Sequence, residues 1–410
     1  MDKVYDKCCG IDVHKKLIVA CFRKGSKQEL RNFGATTREL LELANWLQNG
    51  GCEMVAMEST ASYWKPLYNI LESSELKAMV VNASHMKAVP GRKTDTKDAE
   101  WIAELLQHGL LKASYIPDKQ QRELRELVRY RKSLVSERTR ELNRLQKMLE
   151  GANIKLSGTV SDINCMSARN ILEYLLTGEF FDEAKYDEMY KQKIIAHNLK
   201  ASKEQIIDDL NGVMTPLQRR MMKELLSHLD ELNVHINNLE DEIDNFMKPE
   251  EKKATQAIQD VTGIGKNSSQ AIISVIGTDM SRFPTAGHLA AWAGLCPGNN
   301  ESAGKRKSTS ITKGNPYIKS MLCEIAWVIA GKRNTYLSAW YWRIKQKKGA
   351  RKAIVALARK LLVIIYTMLK QGTNFDENCF EVRRKNCEQK QLSRYIRELE
   401  KHGYTVEAQV

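Results

Sequence analysis

The chain has 410 residues, 42% of them hydrophobic, enough to bury a sizeable core across two or three domains. Lys and Arg number 64 against 50 Asp and Glu, giving a net charge of +14 that favours a polyanionic partner. Nine cysteines, an odd number with no CxxC pair, argue against a zinc site and for a reducing compartment.

The N-terminal MDKVYDKCCG has no signal-peptide character, so a cytoplasmic protein is expected. Residues 7–110 then read as an α/β block. CCGID and LIVACF are β-rich, and a third strand around QELRNF follows the GSK turn. In TTRELLELANWLQ, Leu40, Leu43, Ala44 and Leu47 recur at helical spacing behind a threonine cap. CEMVAME reads as a short buried strand, YWKPLYNILES as a helix, LKAMVVN as a strand and TKDAEWIAELLQHG as a helix. The order β-β-β-α-β-α-β-α suits a mixed sheet with helices packed on it. No G-x-G-x-x-G follows the first strand, so this is not a dinucleotide-binding unit. These elements define a first domain, 1–115.

Residues 116–250 form an expected helical and coiled-coil oligomerisation region. Its first part, 118–150, repeats Val128, Val135, Leu142 and Leu149 every seven residues and carries Arg122, Arg125, Arg129, Lys132, Arg140 and Arg144. Residues 151–215 are less regular and locally acidic. The cleanest periodicity follows: Met222, Leu225, Leu229, Leu232, Ile236, Leu239, Ile243 and Phe246 alternate three and four apart. Self-association through this seam is the expectation, and packing against 118–150 is the alternative. Pro249 ends the helix, and 251–372 reads as a mostly helical C-terminal domain interrupted by the polar loop PGNNESAGKRKSTSITKGN. Its longest apolar run, LLVIIYTML, falls short of the roughly 20 residues that span a bilayer, so no membrane partner is expected. Within 301–370 lie 16 Lys and Arg against Glu301 and Glu324, a local net of +14 that equals the whole-chain excess. So basic a block reads as a polyanion-binding surface. Residues 373–410 form a charged, peripheral tail.

Four acids stand out against this background. Asp12 lies inside an apolar strand, where an unpaired carboxylate costs several kcal/mol, of order 3 or more. Glu58 ends the strand CEMVAME, at the carboxyl edge where α/β sheets place ligands. Asp95 and Asp98 open a helix three residues apart, and Asp98 shares a stripe with Ile102 and Leu105. Hard oxygen ligands from three elements suit divalent ions that activate a nucleophile in phosphoryl transfer. Each acid also has a structural explanation: a helix cap and its partner for Asp95 and Asp98, pairing with Lys15 or Lys16 for Asp12, a cap for Glu58. His14 reads as supporting Asp12 or facing substrate rather than as a ligand.

Further on, IQDVTGIGKNSSQAIISVIG reads as helix, tight turn, helix, with Gly263 and Gly265 placing backbone amides toward a phosphate. The basic loop carries Ser302, Ser308 and Ser310 among Lys305, Arg306, Lys307 and Lys313. A serine attacking phosphorus needs cations and a base. The loop supplies cations, and chemistry alone does not choose among its serines.

The strand–helix order with these acids resembles the RNase-H-like fold in its Holliday-junction-resolvase (RuvC-like) branch. GIDVHK, MEST and GRKTDTKDAEWIAELL go further and resemble the DEDD insertion-sequence transposases, the bridge-RNA-guided recombinase family. The K-T-D-x-x-D-A spacing is the most specific part, and the likeness runs from residue 8 to about 335. The stretch G-L-x-P…N-x-S-x-G-K…I-[ST]-K-x-G-[ND]-x-Y-[IL] resembles that family's serine-bearing C-terminal domain, with Ser302 where its nucleophile is found. Ala303 replaces a glycine often seen there.

The resemblance implies a transposase or recombinase that cleaves and exchanges DNA strands for an insertion sequence. It implies Mg²⁺, with Mn²⁺ as a substitute, held by Asp12, Glu58, Asp95 and Asp98, and a transient phosphoserine link at Ser302. Arg122, Arg125, Arg129, Gly263, Gly265, Lys305, Arg306, Lys307 and Lys313 would contact nucleic acid. The implied partners are donor and target DNA, a noncoding bridge RNA, and further copies of the chain as a dimer or dimer of dimers, in a prokaryotic, nucleoid-associated setting. The competing enzyme reading is a structure-specific junction endonuclease using the four acids and water. A nonenzymatic nucleic-acid scaffold is the third.

Overall fold

A computed structural model describes residues 3–82, 95–160, 162–195, 201–298, 300–302, 305–308, 310–332 and 335–404. The chain divides into two compact units, Met1–Asp118 and Lys119–Val410.

In the first unit the elements are β1 (Lys7–Val13), β2 (Leu17–Lys24), β3 (Lys27–Gly34), α1 (Thr37–Asn49), β4 (Met54–Glu58), α2 (Trp64–Ser73), β5 (Ala78–Val81) and α3 (Asp95–Gln107). The sheet order is β3-β2-β1-β4-β5. Strands β1, β2 and β3 are antiparallel, whereas β4 and β5 run parallel to β1. This is the RNase-H-like sheet, with helices on both faces.

Side chains alternate along β1, so its two faces meet different helices. Cys9, Ile11 and Val13 pack with Leu40, Leu43 and Leu47 of α1 and Leu67 and Leu71 of α2. On the opposite face Cys8 and Ala56 meet Ile102 and Leu106 of α3, while Val19 and Cys21 meet Ala99 and Ala103. Gly10 sits under that helix. A Cβ there would lie 2.2 Å from the Ala103 nitrogen and 2.5 Å from the Ala99 carbonyl oxygen. Only glycine lets the helix backbone rest on the strand. The strand cysteines are core residues: burial pushes the Cys8 and Cys21 thiols up to about 11.

The second unit is mostly helical. Its elements are α4 (Lys119–Gly151), α5 (Leu156–Thr159), α6 (Met166–Thr177), α7 (Glu183–Lys191), α8 (Lys203–Leu210), α9 (Pro216–Phe246), α10 (Pro249–Gln259), α11 (Lys266–Ile276), α12 (Ala286–Trp292), β6 (Asn300–Ser302), β7 (Lys305–Ser308), α13 (Pro316–Gly331), α14 (Tyr336–Lys348), α15 (Ala350–Gln371) and α16 (Asn378–Lys401). The acidic stretch after α4 therefore folds into short helices. The polar loop is an antiparallel hairpin, β6–β7. Among the described residues no helix is long and apolar enough to cross a membrane.

Helix α9 starts at a capping box, with Thr215 accepting from the Gln218 amide, the Gln218 side chain accepting from the Thr215 amide, and Pro216 in the first turn. Its heptad stripe does not wait for a second chain. Leu232, Ile236 and Leu239 pack with Leu134 of α4. Met222, Leu226 and Leu229 join Leu145, Leu149 and residues of α5 to α8 in one core. The alternative of an intramolecular pair is the one found, because α4 offers a matching apolar stripe of similar length at a short chain separation. Taken alone, the heptads therefore give no argument for self-association.

Two outcomes follow from this packing. Leu232→Ala should lower the stability of the second unit by about 2–5 kcal/mol in a denaturant titration while leaving the mass in light scattering unchanged. A fall in mass without loss of stability would restore the self-association reading. Gly10→Ala should lower the melting temperature of the first unit, since overpacking costs about 1–3 kcal/mol even where side chains alone must yield. An unchanged melt would mean that α3 is not seated on β1.

Candidate active site

Strands β1 and β4 pair in parallel, with Cys8 opposite Met54, Gly10 opposite Ala56 and Ile11 opposite Met57. Continuing that register sets Asp12 beside Glu58 on neighbouring strands. Both then fall on the face that carries Cys8 and Ala56, the face covered by α3. Helix α3 runs against the direction of β1. Ala103 and Leu106 lie near Cys8, and Ala99 and Ala103 lie over Gly10. Its N-terminal turn, which begins at Asp95 and contains Asp98, therefore points toward Asp12.

Asp12 is 4% exposed. The imidazole of His14 supports it, with Nε2 3.0 Å from Asp12 Oδ2. Because the side chain is nearly buried, this donor offsets part of the cost of keeping the carboxylate out of water. Glu58 and Asp98 are half-buried. The side chain of Asp95 lies outside the described residues. Among the described residues no three His, Cys, Asp or Glu side chains stand close enough together to hold a metal ion. The residue types still suit a hard divalent cation, since carboxylates on two adjacent strands and at a helix start are the oxygen donors such an ion takes.

In the second unit, the hairpin β6–β7 pairs Ser302 with Lys305. The side chains of Ser302, Lys305, Arg306 and Lys307 lie outside the described residues. Below the hairpin, Gly298 N–H donates to Ser310 O at 2.8 Å and Thr312 N–H to Cys296 O at 3.0 Å. At the foot, a Cβ on Gly314 would stand 2.2 Å from the Gly294 nitrogen, and Gly294 itself has φ +71. The two glycines let the arms close against each other. Asn315 then caps α13, its Oδ1 accepting from the Tyr317 and Ile318 amides at 3.1 and 3.3 Å. Ser302 thus lies on a strand whose arm is anchored at its base, with Lys313 exposed on the opposite arm.

Helix α4 is less available to nucleic acid than its arginine content implies. Arg125 Nη2 donates to Val275 O at 2.9 Å and Nε to Ser274 O at 3.3 Å, closing the C-terminal end of α11. Arg144 pairs with buried Glu141, and Arg122 is half-buried. Arg129 is exposed and stacks its guanidinium 5.1 Å from the Tyr317 ring centroid. In this structure the Arg125 guanidinium serves the fold.

Gly263 has φ +99, and a Cβ there would meet Ile329 at 2.6 Å, so its glycine is explained by the turn and by α13. Gly265 is open, with nothing within 4 Å of a Cβ, and precedes the exposed first turn of α11. Acidic neighbours occupy that turn: Lys266 pairs with Asp244, and Asn267 Nδ2 donates to Glu240 Oε1 at 3.1 Å.

Two residues here escaped the sequence. Arg131 is 3% exposed and donates to Gln270 Oε1 at 2.6 Å, and burial pulls its pKa down. Tyr317 keeps a buried hydroxyl without a hydrogen-bond partner, and burial pushes its pKa up. Arg131 gave no signal beyond one more arginine on a basic helix. Tyr317 was marked only as the tyrosine of the stretch ITKGNPYI, with no sign that its hydroxyl would be buried.

Comparison with known proteins gives independent findings. Residues 9–154 match a transposase family of the DEDD, IS110 type, and residues 255–343 match the transposase IS116/IS110/IS902 family. The chain is 24% identical over 393 residues to the pilin gene-inverting protein of Moraxella lacunata, covering 93% of this chain and 100% of that one. It is 23% identical to the transposase for insertion sequence element IS1111A of Coxiella burnetii, over 79% of each chain. A probable family 20 transposase of Pseudomonas aeruginosa is 23% identical over 89% of this chain and 93% of its own. Among solved structures, T. thermophilus RuvC in complex with Holliday junction substrate aligns over 26% of this chain and 99% of that one, at 11% identity and a TM-score of 0.21. The fold described above rests on strand order rather than on that last likeness.

Arg125→Ala should cost the second unit about 1–3 kcal/mol, measured by denaturant unfolding, because two carbonyls lose a charged donor. The slope of log affinity for DNA against log salt should stay unchanged. A flatter slope with unaltered stability would return Arg125 to the nucleic-acid interface.

Proposed function

We propose that this chain, a member of the IS110 family of transposases, cleaves and exchanges DNA strands for an insertion sequence, using acids of the first unit and a serine of the second. The observation that carries this reading is the edge of the first unit's sheet. There Asp12 and Glu58 stand side by side in the β1–β4 register, beneath a helix that begins with Asp95 and Asp98.

In this reading the four carboxylates hold Mg²⁺, with Mn²⁺ as a substitute. When bound, the cation supplies charge neutralisation at phosphorus and a lowered pKa for an attacking or leaving hydroxyl. His14 holds the Asp12 carboxylate in place through its 3.0 Å contact. The nucleophile is Ser302 of the second unit. Its Oγ attacks the phosphodiester, a serine O–P bond forms as the P–O3′ bond breaks, and the serine proton is given up as the 3′ oxygen gains one. Reversal by a different 3′-hydroxyl completes strand exchange and restores the free serine. Lys305, Arg306, Lys307 and Lys313 surround that position in sequence and would counter the charge developing on the phosphate.

Donor and target DNA are the substrates of this scheme. A noncoding bridge RNA that pairs with both, and assembly as a dimer or dimer of dimers, are part of the proposal on the strength of the motif resemblance. With the heptad stripe packed inside the chain, the oligomer rests on that resemblance alone. A junction-resolvase-like endonuclease using only the acids and water is the second reading, favoured by the RNase-H-like sheet.

One experiment separates them. With DNA carrying the element ends, Mg²⁺ and any co-purifying RNA, Asp12→Asn should reduce strand cleavage by roughly 10²-fold or more. Ser302→Ala should abolish the covalent protein–DNA adduct seen on a denaturing gel. Cleavage that persists in Ser302→Ala, with no adduct formed by the unaltered chain, would favour the resolvase reading. Full activity in Asp12→Asn would overturn both.

A further inference from the structure

Beside the acids, the same sheet edge opens into a depression of about 480 Å³ lined by His14, Lys15, Lys16, Leu17, Thr60 and Tyr63. One wall is the β1–β2 turn, in which His14 N–H donates to Leu17 O at 2.9 Å and leaves Lys15 and Lys16 at the tip. Both lysines are exposed, and neither makes an ion pair among the described residues. Two adjacent exposed cations held on a tight turn are suited to an anion. The other wall is the loop between β4 and α2. Thr60 N–H donates to Glu58 O at 3.0 Å and Tyr63 N–H to Thr60 O at 3.2 Å, so this loop springs directly from a candidate acid. Ala61 holds φ +46, a left-handed conformation that a non-glycine residue seldom adopts. Tyr63, 39% exposed, precedes α2 and offers its first turn no side-chain cap.

His14 joins the two regions. Its ring lines the depression while Nε2 touches Asp12. The volume falls within the range of about 300–1,000 Å³ typical of sites for single small ligands, which suits one nucleotide and not a duplex.

We propose that this depression seats the nucleotide next to the scissile phosphate on one unpaired DNA strand, an inference that rests on the four acids being the cutting site. Lys15 and Lys16 take the phosphate oxygens. The exposed ring of Tyr63 stacks on the base, which requires that base to be out of its pair. Strand separation at the cut is thereby coupled to the position of the acids, through the Thr60–Tyr63 loop on Glu58 and through His14 on Asp12. Tyr63 is a binding residue here, and His14 a positioning one.

The test uses the full chain and a single-stranded oligothymidylate carrying 5-iododeoxyuridine, irradiated and then mapped by mass spectrometry of peptides. Crosslinks should appear on the peptide bearing Tyr63, persist in Tyr63→Phe and vanish in Tyr63→Ala. The double change Lys15→Ala, Lys16→Ala, confined to an exposed turn, should lower that yield about tenfold while leaving crosslinks within the second unit unchanged. Crosslinks confined to the second unit, or an undiminished yield in the double variant, would overturn the subsite. Asp12→Asn distinguishes this from failure of the underlying reading. Loss of cleavage in that variant together with no Tyr63 crosslink sinks the subsite alone, whereas retained cleavage sinks the cutting site on which it rests.

Discussion

The seating of α3 on β1 at Gly10 is the contact on which the rest of the first unit depends. A helix usually stands off a sheet by the thickness of two side chains. Here one of them is missing, and a Cβ on the strand would fall 2.2 Å from helix backbone. The small residues Ala99 and Ala103 complete the close approach from the helix side. That proximity fixes the height of the helix over the strand, and the antiparallel run of α3 then fixes which of its turns lies over Asp12. A larger residue at any of the three positions would lift the N-terminal turn of α3 away from the sheet edge. Apolar packing and a missing methyl group, not attraction among the acids, set the start of α3 over the sheet edge, since like charges repel.

The same logic explains why the site tolerates its own electrostatics. Asp12 is nearly buried beside a second carboxylate, an arrangement that is unfavourable without compensation. His14 provides one donor, 3.0 Å away. In the second unit, burial of Arg131 against Gln270, near Glu240 and Asp244, performs the opposite task. It spends a cation on joining α4 to α11. A basic chain thus divides its arginines between those that hold helices together and those left at the surface. The exposed lysines of the β1–β2 turn belong with the second kind.

Much of the first unit was legible in the sequence because its periodicities are clean. The β-β-β-α-β-α-β-α order, the burial of Asp12 and the position of Glu58 at a strand end all follow from alternation and from strand boundaries. The helix pair α4 and α9 was legible as two apolar stripes, but a stripe does not say whose surface it meets. Intramolecular and intermolecular partners present the same heptads, and only the three-dimensional course of the chain chooses between them. The hairpin at 300–308 read as a loop because its short, charged strands carry no apolar alternation. Arg125 read as a phosphate contact because a guanidinium that binds carbonyls at a helix end looks the same in sequence as one that binds DNA. The depression beside Tyr63 was invisible for another reason. Its walls come from turns 44 or more residues apart in sequence, and turns carry no periodic signal.

The central claim is that Asp12, Glu58, Asp95 and Asp98 form one divalent-cation site at the sheet edge. Titrating Mn²⁺ into the full-length chain and following the free ion by electron paramagnetic resonance tests it most directly. The account predicts specific binding that Mg²⁺ competes away and that either Asp12→Asn or Glu58→Gln, in a chain that remains folded, removes. Mn²⁺ binding of equal stoichiometry and affinity in those variants would contradict it.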